Sequence, residues 1–437
     1  MNRRTFGALL LALGTAGCDM FPGVKKTTLP GERLPVLGVG GDLQPDGSLA
    51  SMPVVLPAPE TNADWPEPGG NPAHAMGHPA LSGRLARAWA TGVGEGSSRH
   101  SRVMAPPVVA GGRVFAMDGN AQITAVDAAG GNRVWQVDLT PKDERGSAFG
   151  GGPCFSKDRL YVGTGFAEIA ALNPGDGKIL WRKAVSAPVH APPTVVDGRV
   201  FAVTVENRLE ALSADDGHSL WSHSGIPETA GLLGGASPAV EGEVVVAAYS
   251  SGELWALSAG NGRAVWSDNL AAGRSVNAIS GLADIRGRPV IDRGRVFAVS
   301  HSGRMAAIDL RTGDRVWELE IASSGSPWVV GDYVFVMAND NQFVCVTRND
   351  GKIRWVRPVA RYEDEKAKSD PIYWAGPVLG GEWLIAVSSN GHATSVTPET
   401  GQPIGQMEIS SSAYVAPIIA GNTLYVLTDD ANLTAYR

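Results

Sequence analysis

The sequence predicts an all-β protein: an eight-bladed β-propeller of four-stranded antiparallel blades, closed by pairing of its N- and C-terminal strands. Three observations carry this. A motif ending in Gly-x-x-x-Trp recurs so that the six tryptophans from Trp135 to Trp355 span 220 residues in five steps, a mean of 44. That is the period of a propeller blade. Gly 55 and Pro 29 make up about a fifth of the 437 residues, which suits many short strands joined by turns better than helices. The chain also ends on three strand-like segments of a repeat, while a lone fourth strand with its tryptophan stands at Arg84–Trp89, one period before Trp135.

The elements follow in order. Met1-Asn2-Arg3-Arg4 is a basic start, and Phe6 to Leu13 is an apolar run that leads through Gly14-Thr15-Ala16-Gly17 to Cys18. Residues 1–17 read as a secretory signal peptide. Ala16-Gly17-Cys18 resembles a bacterial lipobox, so Cys18 is expected to be acylated and to begin the mature chain, holding it on a bilayer. Arg3-Arg4-Thr5-Phe6 resembles the twin-arginine export signal, and the general secretory route stays open beside it. Asp19, directly after Cys18, is a residue that tends to retain lipoproteins at the inner membrane of enteric bacteria. It makes the inner membrane one case for the anchor's address.

Residues 18–63 are rich in proline and glycine, with neither helical nor strand period, and read as a lipid-anchored tether. The propeller is expected over 64–437, with Trp65 to Pro79 packed onto it. His74 and His78 stand four apart, but Pro72, Gly77 and Pro79 rule out the helix that would aim them at one metal.

The blades then repeat as Ala125-Val126-Asp127…Gly131…Trp135, Ala171…Gly177…Trp181, Ala211…Gly217…Trp221, Ala256…Gly262…Trp266, Ala307…Gly313…Trp317 and Cys345…Gly351…Trp355. A seventh copy, Ser395-Val396-Thr397…Gly401…Gly405, lacks the tryptophan. Within one repeat, Asp197-Gly198 turns one strand into the next, and Leu209 and Ala211 alternate onto one face. A tryptophan at one place in every blade is expected to bury its ring between neighbouring sheets.

Charge and chemistry narrow the function. A net charge of −7, without a Lys/Arg run, argues against a nucleic-acid partner. Three cysteines without a C-x-x-C make neither a disulfide scaffold nor a zinc or thiol-redox site. No G-x-S-x-G, H-E-x-x-H, P-loop or EF-hand pattern occurs. The cluster Arg361 to Lys368 reads as a solvated insertion. No catalytic, cofactor or metal site is expected.

The repeat Ala-x-Asp-x-x-x-Gly-x-x-x-Trp resembles the blades of the pyrroloquinoline quinone dehydrogenases. Those enzymes carry a Cys-Cys pair that this chain lacks, since Cys154 and Cys345 lie far apart. A periplasmic quinoprotein oxidoreductase is therefore the alternative reading. Lipoprotein signal, tether and eight such repeats together resemble the BamB-like family of outer-membrane β-barrel assembly lipoproteins. That resemblance implies a non-enzymatic scaffold that binds the periplasmic domains of the barrel-inserting subunit, BamA, with unfolded outer-membrane proteins as further candidate partners. It also implies a binding surface. Ala230 to Pro238 carries Leu232 and Leu233, and one blade later Gly281 to Gly287 carries Asp284 and Arg286, each loop just ahead of a strand. Leu232 and Asp284 match the family by position, whereas Leu233 stands near its arginine and Arg286 near an acid.

Overall fold

The computed structural model describes residues 43–49, 52–144, 148–271 and 282–437. Cys18, Asp19 and the signal segment lie outside them. Among the described residues the only helix is the short turn Gly47–Leu49, and no helix is long and apolar enough to cross a membrane.

Eight four-stranded antiparallel sheets form the blades. Blade 1 shows the build: Val108–Ala110, Arg113–Met117, Gln122–Asp127 and Arg133–Asp138, paired in that order. The second and third strands bury both faces and the fourth is half exposed, as expected for a sheet standing edge-on to the axis of a ring. First strands of successive blades meet one another and so surround that axis. Blades 2 to 7 span 152–184, 194–224, 239–269, 290–319, 328–358 and 374–408. Between blades 6 and 7, the acidic insertion forms a solvent-exposed hairpin, Tyr362–Asp364 with Ser369–Pro371.

Blade 8 is the expected composite. Ile418–Ala420, Thr423–Leu427 and Asn432–Tyr436 supply three strands, and Arg87–Gly92 supplies the fourth, with Trp89 opposite Ala435. The closing strand begins three residues later than the sequence suggests and runs on to Gly92. The closure leaves no open blade at the seam, where a free edge would invite association.

The recurrent glycine and tryptophan turn out to be one joint seen from two blades. Each tryptophan donates its indole N–H to a carbonyl in the turn of the next blade: Trp89 to Ala128, Trp135 to Pro174, Trp181 to Ala214, Trp221 to Ala259, Trp266 to Leu310, Trp317 to Arg348 and Trp355 to Pro398. The glycine of that turn lies on the ring. Gly262 has φ +73°, and a Cβ there would stand 2.6 Å from Trp221. Glycine is therefore required both for the left-handed turn and for the close approach. The seventh copy places Gly405 opposite Ser395, where blade 6 pairs Trp355 with Cys345 and the other blades pair Trp with Ala. In its neighbour, blade 8, strands three and four come from distant parts of the chain, and among the described residues no turn joins Tyr436 to Arg87, so a tryptophan at 405 lacks the turn carbonyl on which the others dock.

Described parts of the proline-rich segment lie against the blades. Residues 52–57 lie along blade 6, where Val54 is buried and Tyr333 bonds the Pro53 carbonyl. From Asn62 the chain then circles one end of the ring, touching every blade in turn. The Asn62 carbonyl accepts from Gly421 of blade 8, and Trp65 exchanges two backbone bonds with Val109 of blade 1. Pro66 accepts from Phe155, the Glu67 carboxyl from Val195, Pro72 from Val240 and Ala73 from Ile291. Gly77 accepts from the Trp328 indole and Pro79 from Gly381. The innermost strands would otherwise leave these donors bare at the axis, and this strap satisfies them. His74 and His78 are its fasteners: His74 Nδ1 lies 2.8 Å from the Pro289 carbonyl, and His78 reaches the carbonyls of Pro57 and Gly381.

Candidate functional site

In each blade the turns after the first strand share one end of the ring, and the connections between blades share the other. The strap occupies the first end, bonding the turn glycines Gly381 and Gly421 and receiving Gly111 N–H on Asp64. The two loops singled out in the sequence lie at the opposite end.

There they hold each other. The Asp284 carboxylate accepts the Leu232 N–H at 2.7 Å, and Arg286 Nε donates to the Leu233 carbonyl at 2.8 Å. One loop thus fixes the backbone of its neighbour on either side of a single peptide bond. Gly234, at φ +106°, lies against Arg286, where a Cβ would stand 2.8 Å from Nε. The glycine-rich loop is therefore pinned. Its leucines differ in consequence: Leu232 is half-buried and Leu233 is 41% exposed. Asp284 is only 4% exposed, and burial pushes its carboxyl up from the ordinary range, against the pull of the Leu232 N–H and Arg286. Its acidity serves the loop rather than the solvent-facing surface. Arg286 is half-buried on the channel wall.

Beneath the leucine loop lies a pocket of about 370 Å³ lined by His190, Asn207, Glu228, Leu232 and Asp284. Beside it the channel forms a cup of about 550 Å³. Trp65 and His74 of the strap line its closed end, and Leu233, Tyr373 and Tyr414 line its mouth. Tyr373 and Tyr414 are 61% and 42% exposed, with ring centroids 6.4 Å apart. The tyrosines come from the approaches to blades 7 and 8, so the mouth carries apolar surface on two sides. Sequence reasoning missed both. They carry no motif, and only the ring brings them to the rim that Leu233 shares.

Histidines of the blades make local pairings. His223 stacks on Tyr249 and lies 4.5 Å, ring to ring, from Trp255, while the Glu253 carboxylate accepts from Ile226 N–H, Ser251 and the Trp255 indole. Among the described residues no group of three or more His, Cys, Asp and Glu side chains is placed to hold a metal ion. Cys154 and Cys345 are buried and free, and burial pushes both thiols up. In the acidic insertion, Asp364 accepts from Lys366 N–H and Glu365 from Arg361 N–H, which spends these acids on the hairpin's own turn.

Fold and mouth together define a class: a closed, repeat-built β-propeller, plugged at one end, that presents pinned loops and apolar side chains at the other. A family model described as outer membrane protein assembly factor BamB matches residues 119–357, more than half of the chain. The chain belongs to that family. It is 26% identical over 358 residues to the outer membrane protein assembly factor BamB of Yersinia pestis, covering 80% of this chain and 88% of the relative. It is 25% identical over 353 residues to that of Escherichia coli K12, covering 79% and 87%. The crystal structure of BamB from Moraxella catarrhalis superposes with a TM-score of 0.68 at 19% identity, covering 81% of this chain and all of that one. A quinohemoprotein alcohol dehydrogenase from Comamonas testosteroni superposes with a TM-score of 0.66 at 13% identity, covering 86% and 80%. At such identities these two likenesses speak for the fold alone.

Proposed function

We propose that the chain is a non-enzymatic scaffold of the outer-membrane β-barrel assembly machinery. It is lipid-anchored through Cys18 at the periplasmic face of the outer membrane and binds the periplasmic domains of the BamA-like barrel-inserting subunit. Its family and its curated relatives carry the name of an outer membrane protein assembly factor. The observation that supports the partner surface is the pinned loop: two bonds from Asp284 and Arg286 hold Leu233 out at the mouth. A rigid apolar anchor with a polar surround is the composition of an interface hot spot. In this reading Leu232 and Leu233 supply apolar contact, Arg286 lies at its edge, and Asp284 acts through the loop it holds.

The test is the affinity of the full chain carrying Leu232→Ala and Leu233→Ala for the partner's periplasmic domains. Truncation losses on the order of 1–2 kcal/mol each predict about a 30- to 1000-fold weaker Kd for the double variant. A folded variant that binds like the wild type places the surface elsewhere.

A further inference from the structure

The cup between strap and mouth has one-sided charge. Among the described residues its lining holds Arg286 and Arg288, and neither aspartate nor glutamate. This is unusual in a chain of net charge −7. Asp284 stands behind Arg286, facing the neighbouring pocket, and offsets part of its charge. Arg288 has no such neighbour. Among the described residues its guanidinium makes no ion pair, and its Nε is buried without a hydrogen-bond partner. Burial and the charge of Arg286 lower its pKa to about 10, so it stays protonated at neutral pH.

At the closed end, Trp65 and His74 are 2% and 7% exposed, with Trp65 Nε1 and His74 Nε2 likewise unpartnered. Because His74 Nδ1 faces the Pro289 carbonyl, Nδ1 carries the proton and Nε2 is an acceptor. A water molecule can satisfy that acceptor and the arginine's N–H groups. It cannot supply the counter-charge that two neighbouring guanidinium groups call for in a confined channel.

We infer that the channel is an anion-binding cup in which Arg288, assisted by Arg286 and the Trp65 indole, takes an oxyanion of carboxylate or phosphate size. Planar guanidinium forks match both groups. Among the described residues, Leu233, Tyr373 and Tyr414 stand at the cup's open end. The anion therefore enters either free or on an acidic side chain with apolar neighbours.

The experiment uses the full chain alone, so it stands apart from the partner reading. Isothermal titration and thermal unfolding are run with sodium succinate, with inorganic phosphate, and with the peptides Ac-Leu-Glu-Leu-NH2 and Ac-Leu-Gln-Leu-NH2, all at ionic strength matched with sodium chloride. Succinate or phosphate binding above the chloride baseline supports a free anion. Binding of the Glu peptide alone, at least tenfold over the Gln peptide, supports a polypeptide carboxylate. In either case Arg288→Gln weakens binding at least tenfold and Arg288→Lys by less. The inference is overturned if no probe exceeds chloride on the wild type, a measurement independent of how any variant folds. It is also overturned if folded Arg288→Gln binds as the wild type does.

Discussion

Replacing Asp284 with alanine separates a residue that itself meets the proposed partner from one that holds the loop proposed to meet it. The carboxylate is buried and accepts one backbone N–H, that of Leu232, at 2.7 Å. A hydrogen bond to a charged group contributes about 1.5–3 kcal/mol. The loop it holds includes Gly231, Gly234 and Gly235, so little else resists unfolding of that segment, and each residue set free gains about 1–2 kcal/mol of backbone entropy. Asp284→Ala should therefore raise the exchange rate of the Leu232 amide about 10- to 150-fold. It should weaken partner binding by a similar factor, because 1.4 kcal/mol is tenfold. Asp284→Asn keeps the acceptor oxygen and the shape, and it should restore binding to within about threefold. Hydrogen exchange on the isolated chain reads the loop, and titration with the partner's periplasmic domains reads the interface. Unchanged Leu232 protection in the alanine variant would refute the clamp. An asparagine variant that binds as poorly as alanine would show instead that the negative charge itself meets the partner.

Further outcomes follow from other parts of the ring. Burial pushes the Glu67 carboxyl from 4.5 up to about 8, so the folded strap holds a proton that the unfolded chain has lost. Its contribution is favourable below about pH 4.5 and is lost as pH rises to about 8, on the order of 5 kcal/mol in all. Glu67→Gln should flatten that slope in urea unfolding at pH 5, 7 and 9, and equal slopes would refute the protonated strap. Gly262→Ala should cost about 1–2 kcal/mol from the left-handed backbone alone, and more from the Trp221 contact, seen as a lower urea midpoint. Gly405→Trp should change stability by less than about 0.5 kcal/mol, since nothing lies within 4 Å of a Cβ there. A clear stabilisation would contradict the account of the missing tryptophan. Cys18→Ser should move the protein from membranes to the soluble periplasmic fraction, read by salt-washed fractionation.

The ring was legible because its information is periodic. The Gly-x-x-x-Trp spacing reports a contact made seven times over, and the split repeat at Trp89 and Tyr436 reports closure. What it could not report is which blade each residue serves: Gly262 belongs to blade 4 but packs on Trp221 of blade 3. That Trp65 to Pro79 packs onto the fold was legible, but its course around the ring was not, for the opposite reason. Its bonds run from main-chain carbonyls to strand edges, and Pro66, Pro72 and Pro79 accept as well as any residue. A Pro/Gly-rich composition that excludes helix and sheet then looks the same whether the chain is free or laid around a ring. His74 and His78, spaced like ligands, bond carbonyls. Asp284 looked like a surface charge because its burial depends on a loop from another blade.

The strap also decides how the two ends of the ring can be used. A propeller channel open at both ends offers two equivalent rims, and the inner strands leave donors along it that any extended chain could take. Here Trp65 to Pro79 takes those donors at one end, with a ring of bonds to all eight blades completed by Asn62. Because those bonds are spread around the whole ring, displacing the strap means breaking many of them together, at about 0.5–1.5 kcal/mol for each, besides exposing Trp65. A partner that enters the channel is thus admitted from the other end, past Leu233 and the two tyrosines. Binding by adding a strand to the inner edges is disfavoured. On the proposed reading, recognition falls instead to side chains, those of the pinned loop at the rim and of the arginines below it.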